Sequence, residues 1–97
     1  MTTFTASVAA SSDDAQESGG TVLIDGTNLN ANAATQISAV RFQNVTIPPG
    51  STINSAYITV NITSTTYDDP AATIRGSAEA NPATFTTAAN HLTDRFK

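Results

Sequence analysis

The sequence lacks cysteine and tryptophan and has only four lysine or arginine residues among its 97. Without cysteine the chain forms neither disulfides nor a thiolate metal site, which excludes a small disulfide scaffold and a zinc knuckle. Eight acidic residues bring the formal net charge to −4. Because so few cations cannot follow a phosphate backbone, we expect no nucleic-acid partner.

Long apolar runs are also missing. No stretch approaches the roughly 18 apolar residues of a membrane span, and the start Met1-Thr2-Thr3-Phe4 has no basic region, so neither a membrane partner nor a signal peptide is expected. Yet 17 Thr, 16 Ala, 9 Ser and 8 Asn are a composition typical of extracellular and virion proteins. A phage structural protein released by lysis accounts for both observations, and so does a piece of a secreted protein.

The chain is also poor in large apolar side chains. Val, Ile, Leu and Phe number 19, just under a fifth of the residues, while the net charge is low enough to permit folding. We therefore expect a single domain over residues 1–97 with a thin core. Such a domain gains stability by burying surface against copies of itself or a larger assembly.

What is present is mainly the pattern of β-strands. Alternating or β-branched runs predict strands at residues 4–10, 21–24, 37–45, 57–63 and 72–77. The clearest alternation places Ile58 and Val60 on one face and Tyr57, Thr59 and Asn61 on the other. In the run 37–45, Val40 and Phe42 share one face, and Arg41 and Gln43 share the other.

Loops separate these predicted strands. Residues 13–20 form an acidic loop, Ile47-Pro48-Pro49-Gly50 imposes a rigid turn, and Tyr67-Asp68-Asp69-Pro70 is a second acidic turn. After Asn81-Pro82 we expect a loop with at most a helical turn near residues 87–92, because the threonines there disfavour helix.

Three segments carry a resemblance to a known family. Residues 40–58 read VRFQNVTIPPGSTINSAYI, residues 11–17 read SSDDAQE, and residues 73–85 read TIRGSAEANPATF. Together they resemble jelly-roll domains of the DNRLRE type, which occur in tailed-phage virion proteins and in large secreted bacterial proteins. The resemblance implies an all-β, jelly-roll-like antiparallel β-sandwich. The family pattern continues past the segment matching residues 90–95, so the resemblance implies an incomplete sandwich. Three alternatives follow: residues 1–97 are the N-terminal part of a longer domain, a neighbouring subunit completes the sandwich, or the fold is a shortened variant.

Two acidic turns are candidate calcium sites, because calcium takes hard carboxylate oxygens. Asp13, Asp14 and Glu17 form the first, and Asp68 and Asp69 the second. The alternative is that these carboxylates are solvated and cap backbone N–H groups, since the spacing of an EF-hand is absent. No other cofactor is expected.

A candidate ligand or interface surface is formed by Tyr57, Thr59 and Asn61, the polar face of the clearest strand. Tyr57 there either stacks on a sugar ring or contacts another subunit. Catalysis has no comparable motif. His91 is the only histidine, and neither Asp94 nor any serine stands in a recognisable catalytic pattern, so we expect no enzyme.

Two hypotheses follow. The first is a non-enzymatic structural or decoration protein on the capsid or tail surface of a tailed phage, located in the virion, whose partners are copies of itself and other virion proteins. The second is an extracellular carbohydrate-binding or adhesive module of a secreted bacterial protein, whose partner is a glycan.

Overall fold

The computed structural model describes residues 2–30, 35–61, 73–77 and 79–96. Its strands are β1 (Asp14–Ser18), β2 (Thr21–Leu23) and β3 (Gln36–Val40); a 3₁₀ turn at Ser11–Asp13 precedes β1, and helix α1 is His91–Arg95. The strands form one antiparallel sheet in the order β2-β1-β3. The regular structure is thus mostly antiparallel sheet with little helix, in agreement with the all-β prediction. The described residues hold one sheet, whereas a sandwich has two.

A tight hairpin joins β1 to β2. Ser18 pairs with Thr21, and the two residues between them, Gly19 and Gly20, have φ of 57° and 83°. Two positive φ values in a two-residue loop match the twist of the flanking strands, and glycine adopts them without steric cost. The prediction of an acidic loop over residues 13–20 was therefore wrong for most of its length, because the Gly-Gly turn lets Asp14–Ser18 pair. The predicted strand at 21–24 is confirmed as β2.

The core lies on one face of this sheet. It consists of Ala15, Val22, Ala39, Phe85 and Leu92, with Ile24, Ile37 and Phe96 packed against it. Ala15 and Ala39 lie directly opposite each other in the pairing of β1 with β3. Because alanine is small, the sheet leaves room above this pair for the large Phe85 and Leu92 side chains. Burying two such side chains contributes roughly 1.5–3 kcal/mol each.

The C-terminal segment is tied to the start of the chain by backbone hydrogen bonds. The Phe85 N–H donates to Ser12 O at 3.0 Å, and the Asn90 N–H donates to Gly20 O at 2.9 Å. Asn90 has φ of 59°, and α1 begins directly after it. The helical turn predicted near residues 87–92 is thus found slightly later in the chain, where Leu92 becomes fully buried.

Several predicted strands do not form in the described chain. The run 37–45 is a strand only as far as Val40, and no strand is assigned to residues 4–10, 57–61 or 73–77; the rest of the last two runs lies outside the described residues. Alternation shows that the two faces of a segment differ in polarity, but a strand also requires a neighbouring strand to which its backbone can hydrogen-bond. The predicted turn does form: Gly50 has φ of 82°, and the Ser51 N–H donates to Pro48 O at 3.2 Å.

Candidate functional site

The main surface feature is a stretch without charge, residues 42–61, which contains no Asp, Glu, Lys, Arg or His. We call it the uncharged segment. It carries seven of the eleven exposed large apolar side chains of the described chain: Phe42, Val45, Ile47, Ile53, Tyr57, Ile58 and Val60. No strand or helix is assigned within it. These side chains therefore lack the cover that a strand gains from a packed sheet.

A polar cluster around the buried carboxylate of Asp13 lies at the start of this segment. The fully buried Asp13 accepts hydrogen bonds from Arg41 Nη1 at 2.6 Å and from Gln43 Nε2 at 2.5 Å. Arg41 also donates from Nε to Pro82 O at 2.9 Å, and its N–H donates to Asp13 O at 2.7 Å. Arg41 thereby holds three separate parts of the chain together, and both oxygens of the buried carboxylate are paired, as a buried charge requires.

The hydrogen bonds to Asp13 fix the direction of two side chains after β3. The Arg41 and Gln43 side chains both donate to Asp13, in agreement with their predicted placement on one face. With these two side chains turned to Asp13, the alternating residues Val40 and Phe42 lie more than a third exposed. Arg41 is half-buried and Gln43 is exposed, so polar and apolar side chains are both open to solvent at this point of the chain.

The same contacts set the charge state of Asp13. The hydrogen bond from the Gln43 side chain lowers the pKa of Asp13 from its usual 3.8; burial raises it, and the hydrogen bond and positive charge of Arg41 lower it further. The net direction is downward, so the carboxylate stays ionised and the ion pair intact under mildly acidic conditions.

A second buried carboxylate holds α1 against the sheet. Glu17, only 2% exposed on β1, accepts hydrogen bonds from the Leu92 N–H at 3.0 Å and from the Thr93 N–H at 3.2 Å. The Thr93 hydroxyl also donates to Glu17 Oε2. The first N–H groups of a helix have no partner within the helix, and this carboxylate supplies one.

The three residues of the predicted calcium site have separate positions. Asp13 ends the 3₁₀ turn and binds Arg41, Glu17 faces the core four residues later, and Asp14 lies between them on β1. Asp13 and Glu17 are both buried but lie four residues apart with different partners, and alternation places Asp14 on the opposite side from Glu17's neighbours in the core, so the three carboxylates do not converge. Among the described residues no group of three or more His, Cys, Asp or Glu side chains could hold a metal ion. The second predicted turn, Asp68 and Asp69, lies outside the described residues.

Tyr57, Thr59 and Asn61, the predicted ligand or interface residues, are all exposed within the uncharged segment. Tyr57 is 88% exposed and its neighbour Ile58 is 57% exposed. The predicted strand was expected to have one wet and one buried face. In the structure both faces are open to solvent, so the surface available to a partner is larger than expected.

His91 packs against the core instead of facing a cleft. Its ring meets the Phe85 ring edge-on, with centroids 6.3 Å apart, and Nδ1 lies 3.3 Å from Thr86 Oγ1. The guanidinium of Arg95 covers the same Phe85 ring at 5.0 Å. Arg95 also donates to Glu79 and to Ala83 O, while one nitrogen of each side chain, His91 Nε2 and Arg95 Nη1, is buried without a hydrogen-bond partner.

The surface area of the chain is large for its mass. It exposes 7898 Å², whereas a compact monomer of this mass exposes about 5,200 Å². The radius of gyration is 14.6 Å, against about 12.5 Å for a compact domain of this length.

Comparisons with protein-family models, curated proteins and solved structures yield no match. The resemblance to the DNRLRE type therefore stays a prediction. In the described part of the chain, no helix has the length and apolar character needed to cross a membrane.

The sequence did not reveal the roles of Glu17 and Arg41 in holding the chain together. Glu17 was assigned to a calcium loop and Arg41 only to the polar face of a strand. The sequence signal for Arg41 and Gln43 was that these two polar residues alternate with the apolar residues Val40 and Phe42. No local signal links Glu17 to Thr93, which lies 76 residues away along the chain.

Proposed function

We propose that this chain is a non-enzymatic structural or decoration protein of a tailed-phage particle, located on the capsid or tail surface. It acts by assembling with copies of itself and with other virion proteins. In this proposal the three-stranded sheet belongs to a jelly-roll-like sandwich that neighbouring subunits complete. The observation that carries the proposal is the exposure of seven large apolar side chains in one uncharged segment, beside a core of five buried apolar residues in the described part of the chain.

The exposed apolar side chains favour assembly over a domain that functions alone. Monomeric soluble proteins rarely expose large contiguous apolar patches, and such patches mark interaction sites. The composition, rich in Thr, Ala, Ser and Asn, and the resemblance of residues 40–58 to virion jelly-roll domains favour a particle as the setting.

The test is the protein content of phage particles. Particles induced from the source organism are purified on a density gradient and analysed by mass spectrometry. Co-sedimentation of this chain with a major capsid or tail protein, in fixed ratio, is the expected result. Finding it only within a long secreted polypeptide, and never in particles, would overturn the proposal.

The 88% exposure of Tyr57, beside Thr59 and Asn61, favours a second candidate, a carbohydrate-binding or adhesive module. An exposed ring flanked by hydroxyl and amide groups suits a sugar, which offers an apolar ring face and polar edges. A glycan array probed with and without calcium tests it. Binding that Tyr57→Ala abolishes and Ile74→Ala preserves would support it, and a blank array would remove it.

A further inference from the structure

We infer that Asp25-Gly26, in the loop after β2, is a site of spontaneous covalent modification, at which Asp25 cyclises to a succinimide that opens to isoaspartate. The two residues follow β2 on the way to β3 and lie outside the buried core. The inference goes beyond the proposed assembly function and does not depend on it.

The sequence places the two reacting groups next to each other. Of the six aspartates in the chain, Asp25 is the only one that a glycine follows. The cyclisation requires the backbone nitrogen of the following residue to approach the side-chain carboxyl carbon. Glycine has no Cβ to obstruct this approach, and its backbone adopts more conformations than that of any other residue. Asp25 is therefore the aspartate with the least hindered path to a succinimide.

The structure leaves both groups open to react. Asp25 and Gly26 are exposed and belong to no strand or helix. Within the part of the chain that the structure describes, neither the Gly26 N–H nor the Asp25 carboxylate has a hydrogen-bond or ion-pair partner. By contrast, Asp13 is fully buried and paired with Arg41, and Asp94 lies in α1. The fold thus restrains those two aspartates and not Asp25.

The reaction needs no reactant other than water. The Gly26 nitrogen forms a bond to Asp25 Cγ, and one carboxyl oxygen leaves as water with the amide proton and the acid proton of Asp25. The succinimide therefore weighs one water less than the chain and lacks the negative charge of Asp25. Solvent water then adds to either ring carbonyl and restores the mass, as aspartate or as isoaspartate, whose main chain is longer by one methylene.

The added methylene acts on a loop that two hydrogen bonds hold against the sheet. The Asn30 N–H donates to Gln16 Oε1 at 3.2 Å, and Ser38 Oγ donates to Asn30 O at 2.7 Å. Four residues separate Asp25 from Asn30, so a longer main chain at Asp25 changes the path that leads to both bonds. We expect these two hydrogen bonds to weaken in the isoaspartyl chain.

The experiment incubates the full chain at physiological pH and temperature and maps its peptides by mass spectrometry, with isoaspartyl methyltransferase as the probe for the product. In the variant Gly26→Ala the new Cβ would lie 3.5 Å from Asn28 O and 3.8 Å from Gln16 Nε2, both ordinary contacts. Asp25→Glu keeps the charge but would have to close a larger ring. We expect isoaspartate at Asp25 in the unaltered chain and loss of most of it in both variants, with matching far-UV circular dichroism spectra.

A parallel incubation in urea separates the effect of the sequence from that of the fold. Because Asp25 and Gly26 are already open in the folded chain, we expect the folded and unfolded chains to form isoaspartate at similar rates. Product that accumulates only in urea would overturn the inference, because the fold would then protect the site. So would equal product in Gly26→Ala, or isoaspartate that appears first at Asp14 or Asp94. Particle content decides the proposed function separately in every case.

Discussion

Replacing Glu17 by alanine should separate α1 from the sheet, because this carboxylate is the acceptor for the start of the helix. The bond from the Leu92 N–H is buried and contributes about 1.5–3 kcal/mol, as bonds to charged groups do. The bonds from Thr93 are partly exposed and contribute less, about 0.5–1.5 kcal/mol. We therefore expect Glu17→Ala to lower the free energy of unfolding by about 2–4 kcal/mol, a large share of the roughly 5–15 kcal/mol of a typical domain.

Urea unfolding followed by far-UV circular dichroism measures this loss, at protein concentrations low enough to keep the chain monomeric. With a slope of about 1–2 kcal/mol/M, the unfolding midpoint should fall by roughly 2 M. Glu17→Gln keeps one acceptor oxygen and should lose about half as much. Asp25→Ala, which removes the same charge from an exposed loop position, is the matched control and should leave the midpoint unchanged. A Glu17→Ala midpoint equal to that of Asp25→Ala would refute the reasoning.

Three further perturbations test the fold around the site. Gly20→Ala should destabilise by about 1–2 kcal/mol in urea unfolding, because φ is +83° and the new Cβ would lie 2.6 Å from Asn90 Oδ1, whereas Gly76→Ala meets nothing and should be neutral. Leu92→Ala, at a fully buried position, should cost about 2–5 kcal/mol, and Leu29→Ala, 40% exposed, much less; equal losses would contradict the assigned core. Because the folded pKa of Asp13 lies below 3.8, its contribution to stability is complete above that pH and is lost as the pH falls through the folded value. Unfolding midpoints measured from pH 5 downward should therefore drop more steeply below about pH 4 for the unaltered chain than for Asp13→Asn.

Local chemistry predicted the parts of the fold that depend on neighbours in sequence. The Pro48-Pro49-Gly50 turn formed because proline and glycine restrict their own backbone. The Gly19-Gly20 hairpin was equally local, yet the acidic residues before it suggested a loop. Two glycines between segments that can pair predict a hairpin. This prediction is stronger than the loop suggested by the charge of Glu17, which is buried in the structure.

Strand predictions failed where pairing depends on partners that are distant in sequence. The alternation of Tyr57 with Ile58 distinguishes two faces but does not say which strand, or which molecule, supplies the hydrogen bonds. The carboxylates of the predicted calcium site also have distant partners, since Asp13 pairs with Arg41 and Glu17 binds Thr93. The calcium site itself stays a prediction. Carboxylates grouped in sequence indicate a metal site only if the backbone turns them toward one point.

The hydrogen bonds of Arg41 join parts of the chain that are distant in sequence. Its side chain pairs with the buried Asp13 carboxylate and also donates to Pro82 O, so the turn before β1, the residues after β3 and the C-terminal segment meet at one guanidinium. Removing Asp13 would leave the half-buried guanidinium without its anion, and an unpaired buried charge is costly. In the described chain the buried apolar core has five residues, so such polar contacts hold segments that apolar burial alone joins only weakly. If the chain assembles as proposed, its stability should rise with its concentration.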